Sequence, residues 1–195
     1  MSKRDRYHSE LSKKLRRKRS KLGHLFSRFV NIISSFIPGG GLRARLNKAR
    51  GVRIGKNVWL GKNVYIEDQY PSQVIIQDGA QIAAFTIIVA HGKEIMRMKA
   101  GQYPTQAPMF ARPTIIKRKA WIGIRSTILG GVIIGEGAVV ASGSVVSKNV
   151  PDFTMVAGNP ARIVAKLPKP PNYKPRPPYV KEPKILKRRA KPKSD

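Results

Sequence analysis

Residues 116–150 read IKRKAWIGIRSTILGGVIIGEGAVVASGSVVSKNV, and an aliphatic residue returns at every sixth position: Ile116, Ile122, Ile128, Ile134, Val140 and Val146. Four places after each lies Ala120, Ser126, Val132, Ala138, Ser144 or Val150. A helix repeats its apolar positions about every 3.6 residues and a strand about every 2, so a period of six sustained this long belongs to neither. It predicts a coiled sheet. Each hexad is one short strand and a corner, and three hexads close a triangular turn with the aliphatic residue inside and the small residue where the interior narrows. Gly123, Gly130, Gly131, Gly135, Gly137 and Gly143 suit the corners. An ordinary β-sandwich would show alternation with variable strand spacing instead.

The same frame extends upstream, where Ile54, Leu60 and Ile66 form one set and Ile76, Ile82 and Ile88 another. The predicted coils are 54–71, 76–93, 116–133 and 134–151. Two interruptions separate them: four residues, Ser72 to Ile75, and a long excursion from Glu94 to Ile115.

Composition bounds the rest. Thirty-nine Lys and Arg against 10 Asp and Glu give a formal net charge of +29, which calls for anionic partners such as phosphates, acidic lipid headgroups, glycans or nucleic acid. Cysteine is absent, which removes disulfides, thiolate catalysis and thiolate metal sites. A three-histidine metal site is excluded as well, because His8 and His24 lie far outside the repeat and leave His91 alone within it.

Three segments follow. Residues 1–50 hold a basic run, expected to be disordered over 1–22, and one amphipathic helix built on Leu25, Phe26, Phe29, Val30, Ile33, Phe36 and Ile37, ended by Pro38-Gly39-Gly40-Gly41. That helix is too short to span a bilayer and is not followed by a cleavage site, so it reads as uncleaved and cytoplasmic. It would either anchor the protein on anionic lipid at the inner face of a membrane or cap the open end of the coil, and the two are compatible. Residues 51–167 carry the repeat. Residues 168–195, rich in Pro, Lys and Arg, read as an extended, disordered tail, and no nucleic-acid motif accompanies their few aromatics.

The hexads, Trp121-Ile122-Gly123, the run from Ser142 to Pro151 and the ending Ala157-Gly158-Asn159-Pro160-Ala161-Arg162 resemble the hexapeptide-repeat acetyltransferases. The resemblance is to the sugar and polysaccharide O-acetyltransferase branch that includes maltose and galactoside acetyltransferases, and it covers residues 51–167. It implies a left-handed parallel β-helix, all-β, assembled as a homotrimer. The implied activity is transfer of an acetyl group from acetyl-CoA to a sugar or glycan hydroxyl, without a metal. Parallel crossovers are right-handed in most folds, so the left-handed sense comes from the resemblance alone.

Within that resemblance His91 matches the catalytic histidine, placed at the end of a coil where a neutral imidazole can take the proton of an attacking hydroxyl. Matching the third sides of adjacent coils puts Ile66 beneath Ile88, Asp68 beneath Ala90 and Gln69 beneath His91, which makes Asp68 the first candidate to orient the ring. Glu67 and Glu94 compete with it. The family binds CoA along the coils between subunits. By resemblance the Ile124 amide meets the thioester carbonyl, and Ser142, Ser147, Lys148 and Arg162 match CoA contacts, the two cations suiting its phosphates. Ser147 and Asn149 depart from the usual Thr and Asp, and Ser142 replaces a smaller residue. Ile124 and Lys148 are expected to face a neighbour's His91, on different sides of the prism. From another class, a non-catalytic β-helix could hold an anionic surface through its basic tails.

Overall fold

The computed structural model describes residues 9–13, 15, 21–95 and 98–174. From residue 53 the chain winds through three sheets, parallel except for the last strand of the second. The first holds β1 (Arg53–Ile54), β4 (Val74–Ile76), β9 (Thr114–Ile116) and β12 (Ile133–Ile134). The second holds β2 (Trp59–Leu60), β5 (Gln81–Ile82), β10 (Trp121–Ile122), β13 (Val139–Val140), β15 (Thr154–Gly158) and β16 (Ala161–Lys166). β3 (Tyr65–Ile66), β6 (Ile87–Ile88), β11 (Thr127–Ile128) and β14 (Val145–Val146) make the third. A separate antiparallel hairpin pairs β7 (His91–Lys93) with β8 (Met109–Ala111).

The six-residue period becomes the interior. Ile54, Ile76, Ile116 and Ile134 stack in register on one side, Leu60, Ile82, Ile122 and Val140 on the second, and Ile66, Ile88, Ile128 and Val146 on the third. All are buried, together with the small residues of the other register from Val58 to Val150. The four extra residues after the first coil do not shift this register, because a 3-10 turn at Pro71–Gln73 absorbs them outside the ladder.

Corners have a common conformation. The third residue past the inward aliphatic is left-handed at Asn57, Asn63, Gly79, Phe85, Lys119, Arg125, Gly131, Gly137 and Gly143, with φ between 52° and 83°. Glycine is therefore favoured there but not required. Gly123 is small for another reason: a Cβ would come within 2.5 Å of the Ser142 amide nitrogen in the coil above. His91 stands at the equivalent corner position, but instead of turning it opens β7.

The N-terminal region departs from expectation in three ways. Two helices form rather than one, α1 (Lys21–Phe36) and α2 (Gly40–Ala49), with Gly39 at φ 83° between them. It is α2 that caps the coil. Its Ala44 and Asn47 are buried, and Arg50 just beyond it, 1% exposed, donates to the carbonyls of Ile66 and Glu67 and to Asn47 Oδ1. The guanidinium thus satisfies carbonyls that no further coil can reach. Sequence periodicity missed α2 because it carries almost no apolar stripe. Finally, within the expected disordered run, residues 9–13 and 15 are helical, and Leu11 and Leu15 cover the outward column Ile75, Ile115 and Ile133 of the first sheet.

At the other end, β15 and β16 form an antiparallel pair on the second sheet. The beginning of the C-terminal tail is docked: Tyr173 packs edge-on against Phe153 at 4.6 Å and donates to Asp152 Oδ2 at 2.9 Å. Residues 175–195 of the expected disordered tail lie outside the described residues.

Candidate active site

The third corner of each coil, between the third and first sheets, is where the chain is interrupted twice, and there the titratable groups gather. Glu67 follows β3 and is fully buried, whereas the His91 side chain one coil higher is 26% exposed. Glu67 Oε2 lies 2.6 Å from His91 Nδ1 and accepts the Ala90 amide at 2.8 Å, while Oε1 accepts the amides of Gln69 at 2.9 Å and Tyr70 at 3.3 Å. A buried carboxylate with four hydrogen-bond partners is held rigidly. It fixes the Nδ1–H tautomer and leaves Nε2 with the lone pair. The Tyr70 ring meets the imidazole edge-on at 5.9 Å.

Asp68 does not orient the histidine. The stacking register is as expected, with Ile66 paired to Ile88, but Asp68 Oδ1 accepts Asn31 Nδ2 of α1 at 2.8 Å and lies 3.8 Å from Arg50 Nη1. Adjacent residues at a corner point apart. Glu67 turns inward under Ala90, and Asp68 is directed to the N-terminal helices. The third candidate, Glu94, is engaged by Arg112 at 2.8 Å. Burial and Asp68, with Glu67 behind it, push the Tyr65 phenol up from its ordinary value, so it remains neutral.

The excursion returns beside the histidine. His91 pairs with Ala111 across the β7–β8 hairpin, the Arg112 amide donates to Ala90 O at 2.8 Å, and Thr114 Oγ1 donates to Val89 O at 2.7 Å. The ring is therefore mounted on a corner clamped from below by Glu67 and laterally by the hairpin. One coil above, Gly130 packs closely on the backbone of this corner: a Cβ there would stand 3.2 Å from the His91 main-chain nitrogen.

The remaining predicted residues fall on two prism edges. Ile124 and Ser142 are successive exposed corners between the second and third sheets, joined by the Gly143 amide donating to Ile124 O at 2.8 Å. Arg162, exposed and opposite Ala157 in the β15–β16 pair, stands at the head of that edge. Ser147 and Lys148, also exposed, lie on the other edge, the one that carries His91. Lys148 is therefore two coils above Ala90, about 10 Å along the prism at the usual strand spacing. The expected separation of Lys148 from its own His91 is thus overturned, while Ile124 does lie on a different edge. Together the two edges bound the face of the third sheet, whose outward column is Tyr65, Ile87, Thr127 and Val145.

Sequence reasoning missed Gly130 as the close neighbour of the His91 main chain and Asn31 as a partner of Asp68. The first carried a signal, since a Gly-Gly pair stands one coil above the histidine. The second carried none, as α1 and the coil are linked only by folding.

Comparison with known proteins agrees with this geometry. Residues 51–88 match the model of the hexapeptide repeat of succinyl-transferase, and residues 113–148 match the bacterial transferase hexapeptide model of six repeats. Hexapeptide repeats are thus matched on both sides of the excursion, in the first two coils and in the last two. Candidate acetyltransferases of Bacillus subtilis (YvoF) and Saccharomyces cerevisiae (YJL218W) are 33% and 32% identical to it over 113 and 123 residues, covering 58% of this chain in each case. The chain spans 59% and 58% of those two relatives. Among solved structures, a hexapeptide-repeat acetyltransferase of Vibrio cholerae complexed with acetyl coenzyme A aligns with TM-score 0.61 and 24% identity, covering 76% of this chain and 89% of that one. A maltose O-acetyltransferase of Clostridium difficile aligns with TM-score 0.59 and 19% identity, over 77% and 90% of the two chains. These structures establish the shared fold.

Proposed function

We propose that the protein is an O-acetyltransferase that moves an acetyl group from acetyl-CoA to a hydroxyl of a sugar, polysaccharide or glycolipid. The observation that carries the reading is the 2.6 Å contact between His91 Nδ1 and the buried Glu67 carboxylate, at a half-open corner beneath a glycine. With Nδ1–H donated to Glu67, Nε2 accepts the proton of the acceptor hydroxyl as its oxygen attacks the thioester carbonyl. Glu67 steadies the imidazolium that forms. The tetrahedral adduct then collapses, the C–S bond breaks, and the imidazolium returns its proton to the departing thiolate. No acyl-enzyme is required, because acceptor and donor meet in one ternary complex.

The donor is assigned to the face of the third sheet. Ile124 would offer its amide to the thioester oxygen, Ser142 and Ser147 would contact the pantetheine arm, and Lys148 and Arg162 would meet the phosphates. We further assign a homotrimer, whose neighbours would cover the exposed Trp59, Phe85, Ile87, Trp121, Ile124 and Leu129 on the outward faces. The test is acetyl transfer from acetyl-CoA to glycan acceptors by the wild type and His91→Ala, beside calorimetric CoA binding. Turnover that survives the substitution would remove His91 from the role of base, and absence of acetyl transfer by the wild type would leave the non-catalytic reading in place.

A further inference from the structure

The helix α1 is mounted with its sides exchanged. Ser27, Val30 and Ser34 are buried and Asn31 is half-buried, whereas Leu22, Leu25, Phe26, Phe29, Ile32 and Phe36 form an exposed stripe. A surface helix of a water-bathed protein normally buries its apolar stripe and exposes the polar one. Here the small polar face packs inward toward α2 and the coil, tied by Asn31 Nδ2 to Asp68 Oδ1, so the outward stripe is held out by the fold itself.

The sequence flanking it carries charge of one sign. Between Glu10 and Glu67 the sequence contains no Asp or Glu, while fifteen Lys or Arg fall in the same interval. A second copy of this chain is a poor occupant, since it would bring two strongly basic segments together. An anionic bilayer suits both features: its headgroups attract the cations and its acyl boundary accepts Phe and Leu side chains. Among the described residues no helix is long and apolar enough to cross a membrane, so the contact is a surface one.

We propose that the outward face of α1 docks the protein on anionic lipid. The consequence for the site follows from one residue of sequence. Asp68, which holds α1, adjoins Glu67, which holds His91. The corner carrying His91 is therefore tied to the docking helix, which favours a hydroxyl on a lipid-linked glycan as acceptor. That last step rests on the transferase reading; the docking does not.

The experiment uses full-length protein and vesicles of phosphatidylcholine with or without phosphatidylglycerol, in the absence of acetyl-CoA. Co-sedimentation should require phosphatidylglycerol and weaken with salt, and Phe26→Glu/Phe29→Glu should reduce it at least tenfold, with oligomer mass in light scattering unchanged. Because the chain has no cysteine, Phe29→Cys carrying an environment-sensitive dye reports insertion directly. Its emission should shift to the blue on anionic vesicles alone. Equal binding by wild type and the double variant, or no dye shift, overturns the docking. A change of oligomer mass in the double variant shows that the stripe is covered by another copy, and also overturns it. Failure of the transferase reading would leave these outcomes untouched, since no arm requires turnover.

Discussion

Glu67 Oε2 receives both the His91 ring nitrogen, at 2.6 Å, and the Ala90 amide, at 2.8 Å. One oxygen thus fixes the imidazole and the backbone that carries it. Glu67→Gln replaces half of a fully engaged carboxylate by an amide donor facing other donors, so it disturbs orientation, charge support and the corner together. Turnover should fall by at least about tenfold, up to the ~10⁴-fold that loss of the corresponding carboxylate costs in a serine protease triad. His91→Ala should cost about 10²- to 10⁴-fold with CoA binding retained, as loss of a general base does. Asp68→Asn should leave turnover on a soluble acceptor within about twofold, because its partners are Asn31 and Arg50 and its neighbour rather than itself holds the ring. Steady-state acetyl transfer by the three variants decides; an Asp68→Asn loss as large as that of Glu67→Gln would reverse the assignment.

The contrast between these adjacent carboxylates shows where sequence reading stopped. The six-residue period predicted every inward aliphatic position and the register between coils, since a one-place error would have turned Ile66 or Ile88 out of the core. It also put the carboxylates within one residue of the correct level under His91. It could not choose between Glu67 and Asp68, because the corner after β3 has no regular alternation and the direction of each side chain depends on the 3-10 turn at Pro71–Gln73 and on two helices whose docking is long-range. The cap was illegible for a similar reason. Arg50 reads as one more cation in a basic chain until the carbonyls of Ile66 and Glu67 are seen above it.

Lys148 lies on the His91 edge and Arg162 at the head of the opposite one, so they would reach different parts of a donor laid along the third sheet. Substituting either by Ala removes a charge-assisted contact without touching the histidine. The expected outcome is an acetyl-CoA KM raised about tenfold at low salt with kcat nearly unchanged, and a smaller ratio at high salt. Initial rates at two ionic strengths measure it. A fall in kcat at unchanged KM would place these residues elsewhere in the reaction.

Trp59 and Trp121 stand in one outward column of the second sheet, both about half exposed, and Ile87 does the same on the third. Aromatic and branched side chains on flat outer faces need covering. Light scattering should return a mass about three times the 21.7 kDa of the chain. Trp121→Arg should shift this toward the monomer and lower activity with it, if sites form between subunits. A fully active monomer would exclude that arrangement.

Asp152 offers a pH test that is separate from catalysis, because it lies at the opposite end of the coil from α2. Burial opposes its ionisation, but hydrogen bonds from Lys117 Nζ at 2.9 Å, the Glu136 amide at 2.8 Å and Tyr173 OH at 2.9 Å outweigh burial and hold its carboxyl below the ordinary value. A carboxylate whose value is lowered by folding binds fewer protons in the folded chain than in the unfolded one. Its contribution to stability is therefore complete above the ordinary aspartate range and disappears as pH falls through the lowered folded value. At neutral pH, Asp152→Asn should lose the Lys117 ion pair and weaken the Tyr173 dock, costing about 1 kcal/mol for a group that solvent still reaches. That corresponds to a fall in Tm of roughly 2–4 °C for a chain of this size. Scanning calorimetry from pH 7 to pH 3 should show the two melting temperatures converging in the acid range. A difference that stayed constant throughout would mean that shape at the Phe153–Tyr173 contact, and not the Asp152 charge, holds the start of the C-terminal segment in place.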